Sequence, residues 1–273
     1  MTQRNGRIVA ITGAARGIGR ATAIELSRRG ALVAIGDIDE TAAKAAAALV
    51  PGRHHVATLD VTDRGSFTAF LDGVEADLGP LDVLVNNAGI MPVGPFHTES
   101  DDTARRQIAI NIDGVVLGSK LALERMLPRR RGHLINIASG AGFVPAPGIA
   151  TYCGTKHFVV GMTAAIRAEY EGQGVDISMV SPGVVRTELT SGLRARSAAG
   201  AIDPEDVARC VGDLVEKPRP EVFVPSWGQI AARAAKALPP SIVDRLLRRA
   251  GADKAFVQPD TAARAAYLQR TTG

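Results

Sequence analysis

The sequence predicts an α/β fold, a parallel sheet with helices on both faces, on three observations. Short runs of apolar and β-branched residues alternate with helical patterns through the first 225 residues. The connections between them are short, which argues for a parallel sheet covered on both sides. A glycine-rich turn joins the first run to the first helix. The chain of 273 residues, 46% of them hydrophobic, is long enough to bury a large core.

Arg7 to Thr12 reads as the first strand, and Gly13 to Gly19 is the turn before a helix over Arg20 to Arg29. Residues without a Cβ let backbone N–H groups approach a pyrophosphate at the helix N-terminus, where the dipole favours an anion. The spacing is G-x-x-x-G-x-G, carried by Gly13, Gly17 and Gly19. The second strand, Ala31 to Ile35, leads to Asp37, a carboxylate placed to accept hydrogen bonds from an adenosine ribose. It would repel a 2′-phosphate and so favours NAD over NADP. Arg16 is the counter-signal, a cation in the turn that suits a 2′-phosphate. Asp39 reads as the cap of an alanine-rich helix over Thr41 to Leu49.

His54 to Leu59 is the third strand, followed by Asp60 and Val61. Two readings of Asp60 stay open here, the adenine edge or a helix cap. A helix over Ser66 to Leu78 stops at Gly79-Pro80, and Leu81 to Val85 is the fourth strand, ending in Asn86-Asn87-Ala88-Gly89. Thr103 to Leu127 carries one long helical pattern, with Asn111 among isoleucines. A buried asparagine needs partners, either structural ones or a water in a proton path. The fifth strand, His133 to Ala138, places Ser139 at its carboxyl end, the edge where open α/β sheets bind ligands. Val175 to Val180 is the sixth strand and precedes Pro182-Gly183; Glu221 to Pro225 is the seventh. Between them Asp203 caps a helix with Pro204 at its first position.

Residues 226–273 form a helical extension, expected to pack on the domain of residues 1–225. Gln229 to Leu238 and Ser241 to Arg249 read as short helices. The second sets Ile242, Val243, Leu246 and Leu247 against three arginines. Packing against the domain is the default reading; membrane contact and an oligomer interface are the alternatives. Thr261 to Arg270 is a last helix, and the end is expected to fray.

Composition excludes several classes. The net charge of +4 comes without a basic run interleaved with aromatics, and Arg129-Arg130-Arg131 reads as a solvated helix end, so no nucleic acid is expected. Cys153 and Cys210 form no disulfide framework, and no Cys/His cluster has metal spacing. The polar N-terminus and the lack of a long apolar run point to a cytoplasmic protein.

The chemistry centres on Tyr152 and Lys156, four residues apart and so on one helix face. An ammonium beside a phenol stabilises the phenolate and should lower its pKa, which suits proton exchange with a substrate oxygen. Alone the pair is weak. With Thr12 to Gly19, Asn86 to Gly89, Asn111, Ser139 and Pro182-Gly183 with Thr187, the chain resembles the short-chain dehydrogenase/reductase family over residues 5–190. The resemblance implies a Rossmann-like sheet of seven strands and an active-site tetrad of Asn111, Ser139, Tyr152 and Lys156. In it Tyr152 moves the hydroxyl proton, Lys156 lowers the Tyr152 pKa and bonds the nicotinamide ribose, Ser139 holds the substrate oxygen, and Asn111 holds a water. It also implies that Ile18, Asp60, Val61, Asn87, Ala88 and Gly89 line the adenine side and pyrophosphate, and that Val185 and Thr187 meet the carboxamide. Homodimers or homotetramers are the family's usual assemblies.

Substrate contacts are expected from Met91, Val93, Ala141, Phe143, Val144 and Val184, and from Thr190 to Ala199, whose small residues suggest a mobile lid. The first group is apolar, which suggests a hydrophobic secondary alcohol or ketone; the bland reading is that these side chains pack the loops. Asp37, through NAD, leans toward alcohol oxidation. A non-catalytic dinucleotide sensor on the same fold is the alternative.

Overall fold

β1 (Ile8–Thr12) is buried at every residue, as a strand covered on both faces must be. It pairs in parallel with β2 (Leu32–Asp37) on one side and β4 (Val83–Asn86) on the other. β3 (His54–Thr58), β5 (Gly132–Ile137), β6 (Val175–Pro182) and β7 (Glu221–Val224) complete a sheet in the order β3-β2-β1-β4-β5-β6-β7. The computed structural model describes residues 6–193, 200–249, 256–257 and 259–272.

Alternation along the strands splits the core in two. Val9, Ile11, Val33, Ile35, Val83 and Val85 face one side, with Leu26 of α1 (Gly17–Arg28), Ala43 of α2 (Glu40–Ala47) and Val207, Val211 and Leu214 of α7 (Pro204–Glu216). Ile8, Ala10, Ala34, Leu84 and Leu134 face the other. There they meet Phe67, Phe70 and Leu71 of α3 (Arg64–Leu78) and Leu121 and Met126 of α5 (Gly114–Met126). Each such large side chain, fully removed from water, contributes about 1.5–3 kcal/mol. α6 (Ala150–Glu169) covers the β5 and β6 end of this second face through Val159 and Ile166.

Caps set several helix starts. Asp39 accepts the Ala42 N–H, Asp63 accepts the Ser66 N–H at 2.6 Å, and Asp203 forms a capping box with Asp206 ahead of Pro204.

The helix expected over Thr103 to Leu127 is broken. α4 (Asp101–Ile108) passes into a π-helical turn, Ala109–Asp113, before α5 begins. The wider turn aims the Asn111 side chain inward, and such turns occur often at functional sites. Gly114 follows because a Cβ there would lie 2.8 Å from Val61 Cγ2.

In the extension, α8 (Gly228–Ala237) buries Ala232, and α10 (Thr261–Thr272) buries Arg264 and Tyr267. α9 (Pro240–Arg249) corrects the packing default. Ile242 and Leu246 are exposed, and none of its described side chains is buried; docking is carried by the flanking helices. Among the described residues no helix is long and apolar enough to cross a membrane.

Candidate active site

The strand order reverses at β1, so the connections after β1 and β4 leave in opposite directions and open a crevice at their carboxyl ends. A cavity of about 660 Å³ occupies it. Gly13 (φ 62) and Gly17 (φ 50) line it in the left-handed conformation that side chains avoid. A Cβ on Gly13 would lie 2.8 Å from Ala88 Cα, so the turn and the Asn86–Gly89 segment touch backbone to backbone. The segment is stitched there. Thr12 Oγ1 accepts the N–H groups of Asn87 and Ala88, and Asn87 Nδ2 donates to the carbonyls of Thr12 and Gly13.

Gly19 is not among the residues that line the cavity. It lies behind the turn, where a Cβ would come within 2.4 Å of the Gly13 carbonyl oxygen and 2.6 Å of Asn87 Nδ2. Close packing of the turn therefore requires a glycine at this position.

At the end of β2, Asp37 accepts the Ala15 N–H at 3.0 Å and the Asp39 N–H at 3.1 Å, and lines the cavity. Arg16 is paired with Asp39 at 2.6 Å and lies 3.8 Å from Glu188. The Ala42 N–H and then Arg16 push the Asp39 carboxyl below its usual pKa. Asp60 folds onto Thr62, accepting its N–H and hydroxyl, while Asp63 caps the helix; Asp60 and Val61 both face the cavity. Ile18, Asn87, Ala88, Gly89, Pro182, Gly183, Val185 and Thr187 line it as well. The cradle fits a dinucleotide: a backbone turn free of side chains faces the space, with a carboxylate acceptor at the end of the neighbouring strand.

Tyr152, Lys156 and Ser139 meet on the β4–β6 side of the cavity. Lys156 Nζ lies 5.7 Å from the Tyr152 ring centroid and donates to the Ile137 carbonyl at 2.9 Å. Burial pulls the Lys156 pKa down to about 8. Burial also raises the Tyr152 phenol well above its ordinary value, and a hydrogen bond with Ser139 opposes that rise. The direction is opposite to the expected lowering, because desolvation of the buried phenol dominates. Ser139 Oγ accepts the Ala141 N–H at 3.1 Å, which fixes its loop.

Asn111 is fully buried and does not line the cavity. Its Oδ1 accepts the Ile90 N–H, and its Nδ2 donates to the Ile90 carbonyl and to Thr155 Oγ1 at 3.2 Å. A Cβ on Gly89 would lie 3.2 Å from Asn111 Oδ1 and 3.8 Å from Lys156 Nζ, so Gly89 separates the two.

Of the expected substrate contacts, Met91, Ala141, Val144 and Val184 line the cavity. Two do not. Phe143 turns into the core, its ring 5.0 Å from Phe223, because Val159 and Met179 offer an apolar bed there. Val93 borders a smaller, separate cavity with Glu99 and Ser100. Of the supposed lid, Thr190 lines the main cavity, residues 191–193 do not, and residues 194–199 lie outside the described residues.

The sequence reading missed Ile149, Leu189, Phe256, Tyr267 and Arg270, all of which line the cavity. A tyrosine set alone in an alanine-rich helix was the one signal for Tyr267. Arg270 pairs with Glu188, which places the end of α10 beside the mouth. Among the described residues no cluster of His, Cys, Asp or Glu is arranged to hold a metal.

A doubly wound sheet with such a turn at its switch point defines a Rossmann-like dinucleotide-binding protein. A family model described as short chain dehydrogenase matches residues 7–198. The chain is 43% identical over 183 residues to the inactive 2-(S)-hydroxypropyl-CoM dehydrogenase 2 of Xanthobacter autotrophicus, across 67% of this chain and 78% of that one. It is 38% identical over 220 residues to the meso-2,3-butanediol dehydrogenase of Serratia marcescens, across 77% and 87%. Some relatives are longer, and the chain spans 40% of their length. A crystal structure of a short chain dehydrogenase/reductase from Burkholderia phymatum in complex with NAD has the same fold, with TM-score 0.76, 23% identity and coverage of 85% and 94%. The chain belongs to the short-chain dehydrogenase/reductase family of oxidoreductases.

Proposed function

We propose that the protein interconverts an apolar secondary alcohol and its ketone with NAD, using Tyr152 as the proton donor and acceptor. The observation that carries this reading is the meeting of Tyr152, Ser139 and Lys156 in one cavity with the glycine turn and Asp37. The bound nicotinamide cofactor supplies or accepts the hydride.

In the reductive direction the Tyr152 hydroxyl gives its proton to the substrate oxygen, and in the oxidative direction the phenolate takes it back. Ser139 donates a hydrogen bond to that oxygen as negative charge develops on it. Lys156 stabilises the phenolate and reaches the nicotinamide ribose. Asn111 positions the Ile90 backbone and holds a water on the proton path from Lys156. Gly13, Gly17, Ile18 and Asn87 to Gly89 cradle the pyrophosphate and adenosine; Val185 and Thr187 meet the carboxamide.

Two observations support NAD over NADP. Asp37 would repel a 2′-phosphate, and Arg16, the cation suited to one, is paired with Asp39. The apolar substrate class rests on Met91, Val144, Ile149, Val184, Leu189 and Phe256. We place the protein in the cytoplasm as a homodimer or homotetramer, with residues 226–273 as an extension of the catalytic domain.

The second reading, a dinucleotide-binding protein without turnover, gains footing because one relative is named inactive. One experiment separates the two. NADH and NADPH are titrated by fluorescence, then apolar alcohols are screened with NAD against wild type and Tyr152→Phe. Tighter NADH binding, with turnover lost at least 100-fold in the variant and NADH affinity kept, supports the enzyme. NADPH preference overturns the Asp37 argument. No turnover by wild type, with NADH bound, favours the sensor.

A further inference from the structure

Ile90 and Met91 follow β4 and wall the cavity, yet no strand pairs with them. Their four backbone polar groups are held by side chains. Asn111 takes both groups of Ile90. α10 takes both groups of Met91: the Met91 N–H donates to Tyr267 Oη at 2.7 Å, and its carbonyl accepts from Arg264 Nη2 at 3.1 Å.

Arg264 does more than hold Met91. Its Nη1 donates at 3.0 Å to the carbonyls of Leu189 and of Ser191. These lie in the loop after β6, whose Leu189 and Leu193 pack in the same apolar cluster as Met91. One guanidinium, wholly buried, thus joins the two loops that enclose the substrate side. No carboxylate among the described residues pairs with it, so burial lowers its pKa, and its hydrogen bonds go to carbonyls. The rigid fork of arginine suits such a tie, where a lysine would offer a single nitrogen. The guanidinium also stacks 4.7 Å from the Tyr267 ring. That ring lines the same cavity as Tyr152, near enough to disfavour ionisation of the Tyr152 phenol. The backbone follows suit: Asp260 N–H donates to the Gly192 carbonyl, which seats the start of α10 on the same loop.

We propose that α10 is the specificity wall of the substrate cavity, with Tyr267 as a specificity-determining residue facing the substrate and Arg264 as the positioning residue that fixes both enclosing loops. This rests on the alcohol–ketone reading above. The ligand class is a compact apolar alcohol or ketone whose body packs on Met91, Leu189 and the Tyr267 ring. α10 limits its bulk.

The test uses the full chain as wild type, Tyr267→Phe and Arg264→Lys, with folding checked by circular dichroism. KM and kcat are measured for secondary alcohols from 2-butanol to 2-decanol, together with NADH affinity and hydrogen exchange at the Met91 amide. Tyr267→Phe keeps the ring and deletes the acceptor of the Met91 N–H. It is expected to speed exchange at that amide at least 10-fold. KM for the preferred alcohol should rise at least 5-fold, with kcat and NADH affinity within 3-fold. Arg264→Lys should shift the preference toward bulkier alcohols. Equal losses of kcat for every alcohol, with the preference order unchanged, would overturn the proposal, as would unchanged Met91 exchange in both variants. If wild type turns over no alcohol, the alcohol reading fails. Met91 exchange then decides alone: faster exchange in Tyr267→Phe supports α10 as the wall, and unchanged exchange removes it.

Discussion

Asn111 and Ile90 exchange two hydrogen bonds: the side-chain amide of one closes on both backbone groups of the other, each at 2.9 Å. This mimics a strand pair with a single residue. Neither oxygen nor nitrogen of the amide can be replaced without orphaning a buried group, and an orphaned group costs about 1–3 kcal/mol. Asn111→Ala leaves both groups of Ile90 unpaired and should destabilise the protein by about 2–5 kcal/mol. Asn111→Asp keeps the acceptor but turns an oxygen on the Ile90 carbonyl and buries a charge, so at pH 7 it should be at least as unstable as the alanine variant. Urea unfolding of the three proteins checks the order.

Lys156 gives a pH dependence of known sign. Its folded pKa is drawn down to about 8 from 10.5, so between those values the unfolded chain binds more protons than the folded one. Stability from this group is least below pH 8 and rises as pH climbs toward 10.5. Tyr152 and Tyr267 are raised by burial, Tyr267 to about 12, and act in the opposite sense above pH 10. The clear window is pH 8 to 10. There wild type should gain on the order of 2–3 kcal/mol relative to Lys156→Met. Urea midpoints at pH 7, 8, 9 and 10 read it directly, and parallel curves would refute it.

His133 predicts the acid limit. Ser178 spends its proton on the Arg219 carbonyl at 2.6 Å, so His133 Nε2 must donate to Ser178 Oγ and the ring is neutral. Burial takes its pKa down from 6.5 to about 3. Stability is therefore complete above pH 6.5 and falls as pH drops toward 3, where the unfolded chain takes up a proton that the folded one refuses. His133→Gln, which keeps a donor, should flatten that fall by a few kcal/mol between pH 6.5 and 4. Acid titration of the far-ultraviolet circular dichroism signal of both proteins tests it.

Gly19 separates packing from ligand approach. It does not line the cavity, yet a Cβ there meets a carbonyl oxygen at 2.4 Å. Gly19→Ala should lower stability and NADH affinity together, because the whole turn must shift. Gly13→Ala, at φ 62, should do the same. A Gly19→Ala protein of wild-type stability that fails to bind NADH would place Gly19 against the cofactor after all. Thermal melts paired with NADH titration decide.

The sheet and its glycine turn were legible because strand burial and helix periodicity are local signals, and the turn residues have one steric reason each. The positions of Tyr152, Lys156 and Ser139 followed from helix spacing and from the carboxyl edge of β5. The rest was set by tertiary context. Phe143 is held on Phe223, Val159 and Met179, partners distant in sequence that no local pattern names. The broken helix at Asn111 depends on Ile90, a residue 21 positions away. Arg264 stands in an alanine-rich helix with no local signal to mark it. Only the packed loops at Leu189, Ser191 and Met91 reveal three carbonyls waiting for it. The direction of the Tyr152 pKa also came from burial, which no spacing rule contains.

The proposed preference for NAD can be tested through the carboxylates around Arg16. Asp39 binds it at 2.6 Å while Asp37, two residues earlier, is fixed by the N–H groups of Ala15 and Asp39. Asp39→Asn removes the charge that holds Arg16 but keeps an oxygen to cap α2, so the helix start survives. Arg16, then held only by the longer 3.8 Å contact to Glu188, can swing toward a 2′-phosphate, though Asp37 still repels that group. The single variant should therefore tighten NADPH binding only about 3-fold, on the scale of a partly exposed charge pair. Asp37→Ser on the same background removes the repulsion and should carry the gain past 10-fold, while NADH affinity falls as its ribose acceptor is weakened. Both effects should shrink between 20 and 300 mM salt, because the site is open to solvent. Fluorescence titration of both cofactors at the two salt concentrations measures the whole set. If Asp39→Asn instead leaves NADPH binding untouched while Asp37→Ser alone reverses the preference, Asp37 acts without any help from the Arg16–Asp39 pair.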